Sequence, residues 1–178
     1  MSVIDAREGA LEIRLGREEE FAAIGALTVA AYERLRDDAP MGDYETQLRD
    51  VASRAEDSVV LVAVQGGALL GSVTYVPDAG CAMSEFDDPE GAGIRMLAVD
   101  PDLQGRGAGR ALTEACIARA RSEGRRRVFL HSTGPMLVAR GMYERMGFVR
   151  RPELDEFYGG PPYSEEQPLH LIAYSLEL

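Results

Sequence analysis

Arg95-Met96-Leu97-Ala98-Val99-Asp100-Pro101-Asp102-Leu103-Gln104-Gly105-Arg106-Gly107-Ala108-Gly109-Arg110-Ala111-Leu112 decides how the rest of the chain is read. It predicts a buried strand, a sharp turn and a glycine-rich entrance to a helix. Glycines alternate at 105, 107 and 109, so the loop backbone is bare and can approach a ligand closely. The N–H groups behind it open a helix, where the first turn lacks intrahelical acceptors and the dipole favours an anion. Such a loop is built to cradle a phosphate or pyrophosphate.

Two common phosphate binders are excluded by particular positions. A P-loop needs a lysine after its last glycine, and this chain has none; all 19 basic residues are arginine. A dinucleotide site needs G-x-G-x-x-G, but the third glycine position holds Arg110 in one frame and Leu112 in the other. About 20 residues beyond Gly105, where an acid would meet a ribose hydroxyl, stand Arg125, Arg126 and Arg127.

The 178 residues suit one domain spanning 1–178. No apolar run approaches the roughly 18 residues of a membrane span, and Met1 to Asp5 lacks a signal layout, so a cytoplasmic protein without membrane contact is expected. The net charge of −11 speaks against nucleic acid. Cys81 and Cys116 show no catalytic motif, and the two histidines, His131 and His170, show no metal-ligand spacing.

Along the chain, residues 11–15 alternate as a strand, and 17–36 and 43–54 carry helical periodicity, separated by a break at Asp38-Ala39-Pro40-Met41-Gly42. Ser58–Gln65 and Leu69–Val76 flank Gly66-Gly67, a hairpin signal. A polar loop over about 78–92 precedes a strand at 93–99. A helix follows the glycines and stops at Gly124. Val128–His131 reads as a strand, 135–146 as a helix, 148–150 as a strand, 152–167 as a tail and Leu169–Leu176 as the closing strand. The helix between 93–99 and 128–131 reads as a crossover joining parallel strands.

Gln104-Gly105-Arg106-Gly107-Ala108-Gly109 resembles the Q/R-x-x-G-x-G/A pyrophosphate loop of the GNAT superfamily of N-acetyltransferases, and Leu97–Pro101 resembles the strand that feeds it. Downstream, Ala139-Arg140-Gly141-Met142-Tyr143-Glu144-Arg145-Met146-Gly147-Phe148 is similar to the family's A-x-x-x-Y-E-x-x-G-F signature. The resemblance spans residues 58–150. It implies an α/β (α+β) GNAT fold: one mixed sheet of about six to seven strands flanked by about four helices, strands four and five splayed to admit acyl-CoA. It implies acetyl-CoA as co-substrate, no metal, and a homodimer as a possible assembly. The reaction implied is direct attack by a primary amine in a ternary complex. A non-catalytic acyl-CoA sensor, or a different acyl donor, is the alternative.

Carried onto this chain, the family pattern gives the cofactor site to Met96, Leu97, Ala98 and Val99, to Gln104, Gly105, Arg106, Gly107, Ala108, Gly109 and Arg110, and to Tyr143. Tyr143 is also implied as the acid that protonates the leaving thiolate. Two positions depart from the pattern. An asparagine common seven residues before the tyrosine is Met136, leaving Ser132 or Thr133 to bond the cofactor arm, and a strand-four glutamate is replaced by Met96, with Arg95 beside it. The base is therefore unassigned, with Glu85, Asp87 and His131 as candidates, and Asp88 and Glu90 nearby. The acceptor is expected between the first two helices, the 78–92 loop and the tail, touching Tyr32, Tyr44, Glu85, Phe86 and Tyr158. Acids there (Glu85, Asp87, Asp88, Glu153, Asp155, Glu156, Glu165, Glu166) and aromatic rings suit a small cationic amine or a peptide amine.

Overall fold

The Gly66-Gly67 turn takes left-handed dihedrals at both residues, φ 57° and 79°, as a two-residue hairpin requires. It joins β2 (Val59–Gln65) to β3 (Ala68–Val76). β1 (Glu12–Leu15) pairs antiparallel with β2, and β4 (Gly91–Val99) pairs antiparallel with β3. The computed structural model describes residues 9–35, 41–160 and 163–178, so the expected break at Asp38–Pro40 and Pro161-Pro162 of the tail lie outside the described residues.

From β4 the chain crosses through α4 (Ala108–Ser122) to β5 (Arg127–Ser132), which runs parallel to β4. α5 (Leu137–Arg145) then leads to β6 (Val149–Arg150), β7 (Glu156–Tyr158) and β8 (Leu169–Glu177). The sheet order is β1-β2-β3-β4-β5-β8-β6, with β7 also on β8. Among the described residues there are eight strands where about six to seven were expected, because the tail contributes β7.

β2 shows how the core divides. Leu61 and Ala63 join the main core with Leu112 and Cys116 of α4 and Tyr143 of α5. Val60 and Val62 face the other way, onto Ile24 and Val51. That second layer holds α1 (Phe21–Glu33), α2 (Asp43–Arg49) and α3 (Val51–Arg54). Among the described residues five α-helices therefore stand where about four were expected. The predicted 43–54 helix breaks at Asp50 (φ −80°, ψ 72°), whose carboxylate accepts the Ser53 N–H and caps α3. The predicted 17–36 helix opens as a 3₁₀ turn over Glu18–Glu20 before α1 begins.

Gly25 lets α2 lie close on α1. A Cβ there would stand 2.7 Å from the Arg49 carbonyl oxygen and 3.0 Å from its Cα. Alanine in a helix interior ordinarily stabilises by about 0.5–1 kcal/mol over glycine. Here the backbone clash reverses the sign: Gly25→Ala should destabilise by about 1–3 kcal/mol, the usual cost of overpacking. A lower midpoint in thermal unfolding is expected; a raised midpoint would contradict the close approach.

Candidate functional site

β4 carries an extra residue. Ser72 pairs with Ala98 and Thr74 with Arg95, so Met96 and Leu97 together oppose Val73. Met96 takes up the bulge at φ 51°, the one non-glycine residue with positive φ among the described residues. The kink changes which way side chains point. Ile94 and Leu97 face the α4 core, whereas Met96 packs with Val29, Leu48 and Met41 under α1 and α2, and Arg95 reaches Met83 and Glu85. Two successive side chains thus leave on the helix-α1 side. The β4–β5 ladder runs from Gly91–Arg127 to Ile94–Leu130 and goes no further. Beyond it, the β5-facing edge of Met96 to Val99 has no strand partner among the described residues, which is the splay the sequence implied.

The glycine loop opens at the end of that edge. Gly105 (φ 82°) and Gly107 (φ 80°) are left-handed, and nothing among the described residues lies within 4 Å of where their Cβ atoms would be. The backbone conformation requires glycine there; packing does not. Gly107 caps α4, and Ala111 N–H donates to its carbonyl. The N–H groups of Gly107, Ala108, Gly109 and Arg110 donate to no backbone carbonyl among the described residues. They form a row of unpaired donors at the positive end of a 15-residue helix. Gly109 sits on Val99, its would-be Cβ 3.4 Å from that side chain, which ties the loop to the open edge.

Tyr143 is 5% exposed in the core between sheet and α5, edge-on to Phe148 at 5.6 Å. Its hydroxyl makes no hydrogen bond among the described residues, and burial holds its pKa above the ordinary 10. Ser132, at the end of β5 where the ladder has already opened, is 2% exposed with an unpaired Oγ. A buried hydroxyl without a partner is costly, so a ligand group in the splay has a waiting donor and acceptor. Cys116 is buried, its thiol pushed up to about 12 by desolvation, and is inert packing.

Glu85, Arg95 and His131 come together across the mouth of the splay. Glu85 meets Arg95 at 2.7 Å and His131 Nδ1 at 3.1 Å, and His131 Nε2 lies 3.1 Å from the Leu154 carbonyl. A carbonyl and an ionised carboxylate can only accept, so the doubly protonated ring is the form that satisfies both contacts. Burial opposes that charge; the hydrogen bonds to Glu85 and Leu154, with the Glu85 charge, outweigh it and raise the pKa. Burial likewise opposes the Glu85 carboxylate, but His131 and Arg95 hold it below the ordinary value. Each Glu85 oxygen and each His131 ring nitrogen is thus engaged by a neighbour. Asp87 is exposed, and Asp88 is tied to Arg127.

The remaining acceptor residues divide. Tyr32 and Tyr44 lie edge-on at 6.1 Å under α1 and α2, and the Tyr32 phenol is within electrostatic reach of Tyr143, Arg95 and Glu85. Phe86 instead stacks on Phe129 at 5.3 Å and covers Gly91 and Gly93 as packing. Tyr158 stands half exposed on β7, edge-on to Tyr163. Half of the acidic wall is engaged internally, since Glu85 and Asp88 are paired as above, Asp155 binds Arg150 and His170, and Glu153 pairs with Arg151, while Asp87, Glu156, Glu165 and Glu166 are exposed. Sequence reasoning missed Arg54, which looks like an ordinary basic residue ending a helix yet is 4% exposed beneath the α1–α3 layer.

A strand edge without a partner runs into a row of helix-start amides that donate to no backbone carbonyl among the described residues, an arrangement with room for an extended ligand beside a strand and for an anion at its end. The acetyltransferase (GNAT) family profile matches residues 21–148, and the chain belongs to that family. It is 41% identical over 103 residues to a mycothiol acetyltransferase of Cellulomonas flavigena, covering 57% of this chain and 29% of that protein. It is 37% identical over 137 residues to one of Beutenbergia cavernae, covering 75% of this chain and 43% of that protein. The chain thus spans well under half the length of these curated relatives. A putative acetyltransferase from Salmonella typhimurium, solved with its cofactor acetyl-CoA, shares the fold at a TM-score of 0.67 and 20% identity over 95% of this chain and 94% of that one. No helix among the described residues is long and apolar enough to cross a membrane.

The histidine geometry is testable by titration. The His131 ring should titrate above the ordinary 6.5 in NMR spectra, and Glu85→Gln should lower its midpoint. Because the folded pKa is the raised one, the stability His131 adds is complete below about pH 6.5 and fades as pH climbs through the folded value. A midpoint at or below 6.5 would contradict the doubly donating ring.

Proposed function

We propose that this chain is an acetyl-CoA-dependent N-acetyltransferase acting on a primary amine in a ternary complex. The observation that carries the reading is the continuity of the open Met96–Val99 edge with the unpaired amides at Gly107 to Arg110. Those amides, with Gln104, Gly105 and Arg106, hold the diphosphate. The edge pairs with the pantetheine arm as an added strand would, and Ser132 Oγ gives the arm a polar contact. Acetyl-CoA, when bound, supplies an activated acetyl thioester.

In this reading a β4 N–H, of Leu97 or Ala98, is aimed at the thioester oxygen and stabilises the charge that grows there on attack. Holding amine and thioester in one cleft removes much of the entropic barrier. As the C–N bond forms and the C–S bond breaks, Tyr143 donates a hydrogen bond to the departing sulfur. Its raised pKa keeps the phenol protonated throughout the working range. A thiol sits near 8.5, so complete proton transfer to sulfur would run uphill, and hydrogen bonding is the larger part of the role.

No side chain is assigned as base: the two cations on Glu85 make it a weaker proton acceptor, and the contacts of His131 favour its protonated form. The amine enters neutral and loses its second proton to water after attack. An alkylammonium with pKa near 10 is neutral in about one part in 10³ at pH 7. The exposed acids Asp87, Glu156, Glu165 and Glu166 leave a small cationic amine or a peptide amine as the acceptor class this reading favours.

Thiol release from acetyl-CoA across a panel of primary amines tests the reading. Amine-dependent release is expected, whereas tight CoA binding without release would make the chain a non-catalytic acyl-CoA binder. Tyr143→Phe should lower kcat on the order of 10²-fold with the fold intact. The logarithm of kcat/KM should climb one unit per pH unit up to the acceptor's own pKa; a plateau near pH 7 would reveal a side-chain base.

A further inference from the structure

The β4–β5 ladder ends at the Ile94–Leu130 pair, and the next residue on each strand is ionisable: Arg95 on β4 and His131 on β5. Both reach the same carboxylate. Glu85 Oε1 lies 2.7 Å from Arg95 Nη2, and Oε2 lies 3.1 Å from His131 Nδ1. Where backbone pairing stops, a side-chain bridge from the loop before β4 takes over. Each strand is also held a second time. Arg95 Nη1 donates to the Met83 carbonyl at 3.2 Å, and His131 Nε2 lies 3.1 Å from the Leu154 carbonyl. The three side chains share a small cleft with apolar Val76, Phe86, Ile94, Phe129 and Leu130. Such surroundings strengthen each polar contact.

The doubly protonated His131 ring serves Glu85 and Leu154 at once. A neutral imidazole keeps one N–H, so it must release either the loop or the tail. The charged groups around the ring come from several elements. Glu85 reaches it from the loop, with Arg95 of β4 on the other oxygen, and Glu156 of β7 acts on it from farther off. From α1, the Tyr32 phenol acts on Glu85 and Arg95. β8 sets Ala173 opposite His131. In the tail, Asp155 is taken up by Arg150 and His170, and Glu153 by Arg151. Burial opposes the charged ring, and the acids with the Leu154 carbonyl outweigh it.

We propose that Glu85 is a positioning residue for acyl-CoA: shared by Arg95 of β4 and His131 of β5 where their ladder ends, its carboxylate sets how far the two strands stand apart, and loss of the His131 proton loosens that spacing. This rests on the reading above that acetyl-CoA lies in the splay. The Met96 bulge ends the ladder, and the clasp fixes the width of the opening. A cleft of fixed width is preorganised, so less ordering is left for the ligand to impose. Acetyl-CoA therefore binds the clasped form more tightly. Affinity is highest below the His131 midpoint and falls as pH rises through it. By linkage, acetyl-CoA raises the His131 midpoint to the same extent that protonation raises the affinity.

Calorimetry with acetyl-CoA and no acceptor, from about pH 6 to about pH 9, tests the clasp. The rise in Kd across that range should be at least about fivefold larger in the wild type than in His131→Gln, a comparison that cancels titrations belonging to the ligand. In NMR spectra, acetyl-CoA should raise the His131 midpoint by at least about 0.7 pH, the same fivefold on a logarithmic scale. Glu85→Gln keeps the titrating ring and breaks the clasp, so this rise should vanish. A rise that persists in Glu85→Gln would mean direct attraction between His131 and the ligand's phosphates, and would overturn the proposal. Equal pH dependence in wild type and His131→Gln, or an unmoved wild-type midpoint, would overturn it too. Should Glu85→Gln not fold, Arg95→Gln makes the same comparison from β4. Salt separates the two causes in the wild type as well: at about 1 M, direct attraction between exposed charges fades, whereas the clasp, being partly buried, keeps its coupling. Absence of acetyl-CoA binding at every pH would instead remove the reading on which the proposal rests. Because the effect falls on acetyl-CoA affinity, amine profiles taken at saturating acetyl-CoA keep their slope.

Discussion

One extra residue in β4 governs the rest of the structure. Met96, opposite Val73 with Leu97, holds a left-handed backbone that costs an L-residue about 1–2 kcal/mol. The apolar contacts it makes with Val29, Met41 and Leu48 offset that cost. Without the bulge, β4 and β5 would continue their parallel ladder past Ile94 and Leu130, and no open edge would exist. With it, the strands part where α4's N-terminus begins, and the interior of the sheet becomes a binding surface.

Electrostatics around that opening differ from the chain as a whole. The protein is strongly acidic, yet three of its acids near the cleft are committed: Glu85 to Arg95 and His131, Asp88 to Arg127, Asp155 to Arg150 and His170. What remains open at the loop is a row of helix-start amides. At physiological salt, charges beyond about 8 Å are largely screened, so these local donors outweigh the distant acidic surface. The loop end of the cleft is thereby prepared for an anion.

Much of this was legible in the sequence. Alternating glycines after a strand announced the loop, Gly66-Gly67 announced the hairpin, and the crossover helix followed from two apolar strands flanking an amphipathic segment. The Tyr143 signature placed α5 against the sheet. The resemblance implied a bulge in this strand but not the residue that holds it, because Arg-Met-Leu-Ala-Val carries no glycine where the left-handed residue falls. The break at Asp50 was hidden by apolar spacing that suits one helix as well as two. The acidic loop and tail looked like a charged wall because sequence does not show which acids meet arginines in space. Arg54 was invisible for the same reason: its burial depends on α2 and α3 folding back over β2.

The central claim is that the amides at the start of α4 and the open edge of β4 together hold one ligand. Amide hydrogen exchange of residues 96–110, followed with and without CoA, tests it most directly. The structure predicts that CoA slows exchange at Gly107, Ala108, Gly109 and Arg110 and, in the same titration, at Leu97 to Val99. Saturable CoA binding that leaves both segments exchanging as in the free protein would contradict it.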